Sequence, residues 1–320
     1  DDYLGTVKVM VRDQLGLTDQ ETAHVTINNV APTAEAGPDQ TVDEGDTVSF
    51  NGSFTDPGCD TWTYQWDFGD GSLATGNLST THAYGDNGVY TVTLTVTDDD
   101  GGVGIDTLTV TVNNVAPTVD MVDMEQPNQQ FILPIVHTLS FSASFTDPGW
   151  LDTHTSEWEF GDGNTTPGSL DEENDPPDAT GSSTAEHIYA TPGTYTVALT
   201  ITDDDGESGN KTIDVTVVTA AEANQDINHY IQGLADVDFK NPANQRKEAF
   251  ANKFAAVDIM LGVKNYQGAI QQLKYDIRPK CDGNVDGKKN DDWVISSGAQ
   301  QEICLKIDDL IAYLEHLNTL

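Results

Sequence analysis

The most concentrated chemistry in this chain lies in acidic and amide side chains that recur at fixed places. In DGNVDGKKNDDW, Asp282–Trp293, the residues Asp282, Asn284 and Asp286 stand at alternating positions and Gly287 follows. Oxygen ligands at the first, third and fifth positions, with a glycine at the sharp turn, are how a loop wraps calcium. Asp291 and Asp292 extend the acidic set, but the twelfth position is Trp293 in place of a bidentate glutamate. A polar loop without an ion is therefore the competing reading. Two further acidic runs, Asp98–Asp100 and Asp203–Asp205, each precede a glycine. Asp and Gly are ordinary hairpin-turn residues. The alternative is a cation site between domains, with Asp98, Asp100, Asp203 and Asp205 as ligands and the FTDPG carboxylates Asp56 and Asp147 joining them.

The three cysteines are Cys59, Cys281 and Cys304. The last two flank the candidate loop, and a disulfide between them is expected. Closing a loop of that size contributes roughly 3 kcal/mol and belongs to an oxidising compartment. Cys59 is left over, either as a buried thiol or as an intermolecular link. Four Asn-x-Ser/Thr sequons, at Asn51, Asn77, Asn164 and Asn210, are candidate glycan acceptors. There is no glycine-rich phosphate loop and no histidine cluster at metal spacing. His82 and His187 recur at one place in a repeated pattern, which reads as structural. No enzyme is expected.

The formal net charge of the 320 residues is -39, and its distribution is uneven. Residues 34–118 hold 14 acidic and no basic residues, and residues 119–219 hold 19 acidic residues and the single Lys211. Residues 220–320 hold 15 acidic and 11 basic residues. A halophilic proteome would acidify the last segment as well, so solubility and divalent cation binding are the better accounts. Packed carboxylates repel, and a hard cation relieves them. Nucleic acid is excluded as a partner, because the basic residues that neutralise phosphate are missing. No apolar run is long enough to span a membrane.

These side chains must be positioned by elements that occur twice. SFTDPG, then WDFGDG, then HAYGDNGVYTVTLTVTDDDG runs from Ser53 to Gly101. SFTDPG, WEFGDG and HIYATPGTYTVALTITDDDG run from Ser144 to Gly206. Period-2 alternation, as at Val48 and Phe50 or at Trp62, Tyr64 and Trp66, marks half-buried strands. Short strands at regular spacing with turn signals indicate an all-β sandwich, with Trp66 and Trp158 in its cores. Residues 34–118 form one complete repeat. Residues 119–219 form a second with two insertions, Gln126–His137 and Pro167–His187. The latter is acidic, holds two adjacent prolines and reads as a surface loop. Residues 1–33 match only the last hairpin of a repeat, through Val7, Val9, Val11, Val25 and Ile27. Two strands cannot bury a core, so the expectation is an incomplete repeat or strands from another chain. NNVAPT at 28–33 and 113–118 carries a proline that stiffens a short linker.

From Ala220 the period changes. Ile227, Tyr230, Ile231 and Leu234 are at helical spacing, as are Phe250, Phe254, Val257 and Leu261. Ala269, Ile270, Leu273 and Ile277 continue the pattern, and Ile303, Ile307, Leu310, Ile311 and Leu314 end it. Asn241 with Pro242 in the first turn reads as a helix start, and Ser297 with Gln300 has capping-box spacing. Residues 220–320 are therefore expected to form a small helical bundle.

The Trp-Asp/Glu-Phe-Gly-Asp-Gly signature, the His-x-Tyr before Gly-x-Tyr-Thr-Val and the Thr-Asp-Asp-Asp-Gly hairpin resemble PKD domains, the immunoglobulin-like polycystic-kidney-disease repeats. The resemblance covers residues 34–219, with residues 1–33 as a partial copy whose Arg12-Asp13-Gln14-Leu15-Gly16 lacks the acidic triplet. Residues 220–320 resemble a small helical module that follows surface repeats in secreted prokaryotic proteins. The resemblance implies a mainly β chain of tandem immunoglobulin-like β-sandwiches, followed by a small α-helical bundle. It further implies a spacer, adhesion or contact module of secreted and surface proteins. The function expected is that of a semi-rigid extracellular rod in a cell-surface layer, filament or adhesin, stabilised by calcium. Its expected partners are other copies of itself, other surface proteins or polysaccharides. The alternative is a substrate-binding accessory region of a secreted hydrolase, for which Trp62, Tyr64 and Trp150 would have to form an exposed aromatic strip.

Overall fold

The computed structural model describes residues 3–125, 131–283 and 292–320. It begins with an antiparallel hairpin, Tyr3–Arg12 with Thr18–Ile27, in which Val7 faces Ala23. The alternating valines are all exposed, because two strands have nothing to pack against.

In the first sandwich, one sheet runs in the order Gln40–Asp43, Val103–Asn113, Gly88–Asp98, Trp62–Asp67 and Leu73–Thr75. Facing it are the pairs Thr33–Glu35 with Ser53–Thr55 and Thr47–Asn51 with Ser79–Ala83. Inward-pointing residues of both layers meet on Trp66, which is fully buried beside Phe50 at 5.4 Å and packed with Val92, Leu94 and Val110. The second sandwich repeats this arrangement around Trp158 and Phe141. Its sheets are Thr165–Pro167, Thr155–Glu159, Gly193–Thr202, Ser208–Val217 and, opposite, Thr118–Val119, Leu139–Asp147, Asp178–His187, Ser169–Asp175.

The repeated signature is a core pin followed by a turn. Trp66 fills the core, and the Phe68 carbonyl accepts from the Tyr84 hydroxyl at 3.0 Å. Gly69 takes φ +83°, and a Cβ there would lie 2.7 Å from the Thr91 carbonyl; only glycine fits such a place. His82 stacks on Phe68 at 4.2 Å and reaches Asp70 at 2.6 Å. Phe160, Tyr189, Gly161, His187 and Asp162 reproduce every one of these contacts. Both histidines are structural.

The insertion at 167–187 is not the expected surface loop. It forms a hairpin, Ser169–Asp175 with Asp178–His187, turning at Pro176 and Pro177, and widens the second sheet by an edge strand. Small residues hid its period: Ala179 and Ser183 are buried at alternating positions, and Gly181 lies under the Phe145 ring. The other insertion ties two domains together. Phe131 and Leu133 enter the helical core, Ile132 enters the second sandwich, and His137 Nε2 lies 3.1 Å from Asp309; residues 126–130 lie outside the described residues.

The helical domain packs α1 (Ala220–Gly233), α2 (Ala243–Gly262), α3 (Tyr266–Gln272) and α4 (Ser297–Leu317) around the expected apolar stripes. Two expected caps are corrected. α2 starts at Ala243 with Pro242, not Asn241, at its N-cap in extended conformation and no side-chain cap bond. The N-cap of α4 is Ser296, and Gln300 donates to the Val294 carbonyl at 2.7 Å and so cannot close a capping box with Ser297. A reciprocal box does form at α1, where Thr219 and Glu222 hold each other's backbone N–H.

Candidate metal centre

At the junction of the two sandwiches, carboxylates from both converge. Asp147, at the end of the strand Leu139–Asp147, is buried. Its Oδ1 accepts from Gly149 N–H at 2.9 Å, and its Oδ2 lies 3.1 Å from His154 Nε2. Asp203 opens the hairpin turn after Gly193–Thr202. One oxygen accepts from Gly206 N–H at 2.7 Å and Glu207 N–H at 2.9 Å, and the other from Asn114 Nδ2 at 3.1 Å. Between them stands Asp152, 1% exposed, with no hydrogen-bond partner for either carboxylate oxygen. From the first sandwich come Glu44 and Asp86. Glu44 is 2% exposed; its Oε1 accepts from Val115 N–H at 2.7 Å, and its Oε2 has no partner.

Ligand oxygens of Asp147, Asp152 and Asp203 lie within 4.8 Å of one another, and the same holds for Glu44, Asp86 and Asp152 and for Asp152, Asp204 and Asp205. Burial, then the neighbouring carboxylates, pushes Glu44 up to about 7 and Asp152 up to about 8. Asp86 is raised for the same reasons, with Asp205 and Asp204 the nearest charges. His154, held between Asp147 and Glu172, is raised by those carboxylates against the opposing effect of its burial.

The junction of the hairpin with the first sandwich has the corresponding frame. Asp56, Asp60 and Asp98 form one group, and Asp60, Asp99 and Asp100 another. Asn29 donates to Asp98 at 3.0 Å as Asn114 does to Asp203. Thr61 N–H donates to Asp99 at 3.1 Å as Thr153 N–H does to Asp204 at 3.0 Å. Where His154 meets Asp147, Trp62 stands instead and donates its indole N–H to Asp56 at 2.9 Å.

Oxygen donors alone, several of them charged, fit a hard cation such as calcium. The buried oxygens of Asp152, Glu44 and Asn114 that lack a hydrogen-bond partner are ones such an ion would satisfy. Asp98 is grouped with Asp56 and Asp60, and Asp203 with Asp147 and Asp152, while Asp100 and Asp205 stand at the exposed rim. Sequence reasoning missed Glu44, Asp60, Asp86 and Asp152; Asp99 and Asp204 lay within the acidic runs it singled out. The one available signal was Asp-Thr, six residues before each core tryptophan, at Asp60 and Asp152.

The other sequence candidates fall as follows. Asp282 and Asp292 are buried, and Gly283 N–H donates to Asp292 at 3.2 Å; Asn284, Asp286 and Asp291 lie outside the described residues. Cys281 and Cys304 are free thiols, against the expected disulfide, but they are neighbours: the Cys304 thiol donates to the Cys281 carbonyl at 3.3 Å. Cys59 is exposed rather than buried. Asn51, Asn77, Asn164 and Asn210 are all exposed. Trp62, Tyr64 and Trp150 form no exposed strip. The first two pack on Phe54 at 5.0 and 5.7 Å, and Trp150 lies over Gly85 at the junction.

A family model described as PKD domain matches residues 29–112 and 114–218, more than half of the chain. The chain belongs to the PKD-domain family. Its repeats are thus immunoglobulin-like PKD modules in tandem. Among solved structures, the PKD domain of a peptidase from a Thermoplasmatales archaeon is 26% identical, covering 33% of this chain and 100% of its own at a TM-score of 0.25. The PKD1 domain of the Vibrio cholerae metalloprotease PrtV is 22% identical over 33% of this chain and 100% of its own, at 0.21. A tetra-tandem repeat in the extending region of a large adhesion protein is 18% identical over 68% of this chain and 57% of its own, at 0.37. No curated protein shows a significant match. Among the described residues no helix is long and apolar enough to cross a membrane.

Proposed function

We propose that this chain is a non-enzymatic segment of an extracellular protein, a rod of PKD modules tied end to end by divalent cations. The rod would serve a cell-surface layer, filament or adhesin and contact other copies, surface proteins or polysaccharides. The observation that carries this reading is the junction itself. Asp147, Asp152 and Asp203 converge where the first module docks on the second, with ligand oxygens within 4.8 Å of one another. The second module seats Pro148 and Trp150 on Gly45 and Gly85, where an added Cβ would lie 2.8 and 2.3 Å from them. Calcium there would cancel charge that no basic side chain balances, since residues 34–219 contain only Lys211. Outside the cell, Cys281 and Cys304 would oxidise to a disulfide, and the exposed sequons could carry glycans.

Imaging the native cell surface with an antibody against the helical domain tests the reading. A regular array or fibre supports it; a released monomer carrying a catalytic domain overturns it. Thiol titration of the native protein should find Cys59 alone, and three reactive thiols would contradict the oxidising compartment.

A second reading, an accessory region that holds substrate polymer for a hydrolase, rests on one observation. A cleft of about 490 Å³ is lined by Trp62, Tyr64, Gln65, Thr95 and Thr97. Binding of soluble polysaccharides that Tyr64→Ala abolishes would favour it.

A further inference from the structure

We propose a second cation position at the sandwich junction, built from Glu44 and Asp86 of the first PKD module and Asp152 of the second, so that one ion is held by both modules at once. The inference rests on the reading of Asp147, Asp152 and Asp203 as a cation site and adds to it. Those three residues, with Asn114 from the linker, come from the second module and its own leader, so an ion there would order that module. It would not fix the module to its neighbour.

Asp152 belongs to both groups. Its two oxygens have no hydrogen-bond partner, and the residue is 1% exposed, so it can offer one oxygen to each ion. Glu44 is fixed from one side only: Oε1 holds Val115 N–H at 2.7 Å and Oε2, buried and unpartnered, is left for a ligand. Asp86 brings a third oxygen within 4.8 Å of the other two. Water would complete the six to eight ligands calcium takes.

The placement of Glu44 and Asp86 follows from the way the modules dock. Each is the chain neighbour of a glycine on which the second module sits, Glu44 beside Gly45 and Asp86 beside Gly85. Gly85 also accepts from Leu151 N–H through its carbonyl at 2.9 Å. The contact that seats Pro148 and Trp150 therefore also delivers both acids to Asp152. Among the described residues no cation neutralises them: His154 is engaged with Asp147 and Glu172, and Lys211 is the only basic residue in either sandwich.

The test compares the full chain with the double variant Glu44→Gln, Asp86→Asn. The glutamine side chain would keep an oxygen for Val115 N–H, so the variant should fold, and melting in chelator at or above the wild-type temperature checks this. Native mass spectrometry in calcium should show one ion fewer per chain in the variant. Hydrogen exchange at residues 113–118 should slow on adding calcium to wild type and not to the variant, while protection around 147–153 responds in both. Equal stoichiometry and equal protection of the linker would overturn the shared position and leave the first site standing. Loss of calcium response around 147–153 in the wild type itself would overturn both.

Discussion

The two junctions of this chain share a frame and differ in what meets it. Each has a linker asparagine bonded to the first acid of a turn, a buried aspartate before a threonine, and an FTDPG carboxylate. At the first, Asp56 is stabilised by hydrogen bonds from Trp62 and Gly58 and sits below the usual carboxylate range. At the second, Glu44 and Asp152 are pushed up to about 7 and about 8 by burial among other acids. The same PKD frame thus holds Asp56 by hydrogen-bond donors at one junction and sets Glu44 and Asp152 among other acids at the other.

The largest expected effect separates the junctions directly. Chelation should lower the melting temperature of the sandwiches by roughly 5–15 °C, the size expected when a ligand present at about 100 to 1,000 times its Kd is withdrawn. Hydrogen exchange should assign the loss mainly to the second junction; no shift in calorimetry would remove the cation argument. Next, Gly85→Val puts atoms where the Trp150 ring lies, with the Cβ itself 2.3 Å from it. Overpacking of this kind costs about 1–3 kcal/mol, and scattering should show the modules undocked even in calcium, with each sandwich still folded.

These predictions rest on residues of unequal legibility. Trp66 and Trp158, the alternating strands and the apolar stripes of the helices were readable because period and residue size survive in one dimension. The hairpin at 169–187 was not, since its buried positions are alanine, glycine and serine, which carry little hydrophobic signal. Of the clustered acids, Asp98, Asp203, Asp56 and Asp147 were readable, because they sit inside the repeated motifs. Glu44, Asp86 and Asp152 were not, because each lies in an ordinary turn and they are brought together only by docking of two modules. The caps at Asn241 and Ser297 failed for a smaller reason: several polar residues compete at each helix start, and Gln300 found a better partner in Val294.

A smaller effect should come from Asp152→Asn. It should abolish the calcium-dependent shift at the second junction while raising the melting temperature in chelator by a few degrees, since it removes one of the mutually repelling charges. Asp60→Asn, its counterpart, should leave the second junction's calcium response unchanged in the same titration.

The smallest effect is a difference of sign in pH dependence, measured in chelator. Glu44 and Asp152 have folded values above their unfolded ones near 4, so the folded form holds protons the unfolded form lacks. Their contribution is intact below about pH 4 and is lost as pH rises through about 7 and 8. Asp56 and Asp99 are lowered, by Trp62 and by Thr61 N–H respectively. Their contribution is present above the ordinary carboxylate value and disappears as the solution is acidified below it. Protection from exchange, taken relative to the base-catalysed intrinsic rate, should therefore fall toward alkaline pH at residues 113–118 and toward acid pH at residues 28–33; parallel profiles would break the comparison.

The short linker after Asn113 has a mechanical consequence. Pulled along its length, the chain transmits tension from the strand Val103–Asn113 through Asn114–Pro117 into the second module. Within each sandwich that load is shared in shear by long strand pairs, such as Gly88–Asp98 with Val103–Asn113. At the linker it falls in series on the bond from Val115 to Glu44 and the bond from Asn114 to Asp203. Two such bonds are fewer than those of a long strand pair, so under load they would yield before a sandwich opens. Under the proposed reading, the modules would act as stiff links joined by a reversible shock absorber, with stiffness set by ambient calcium.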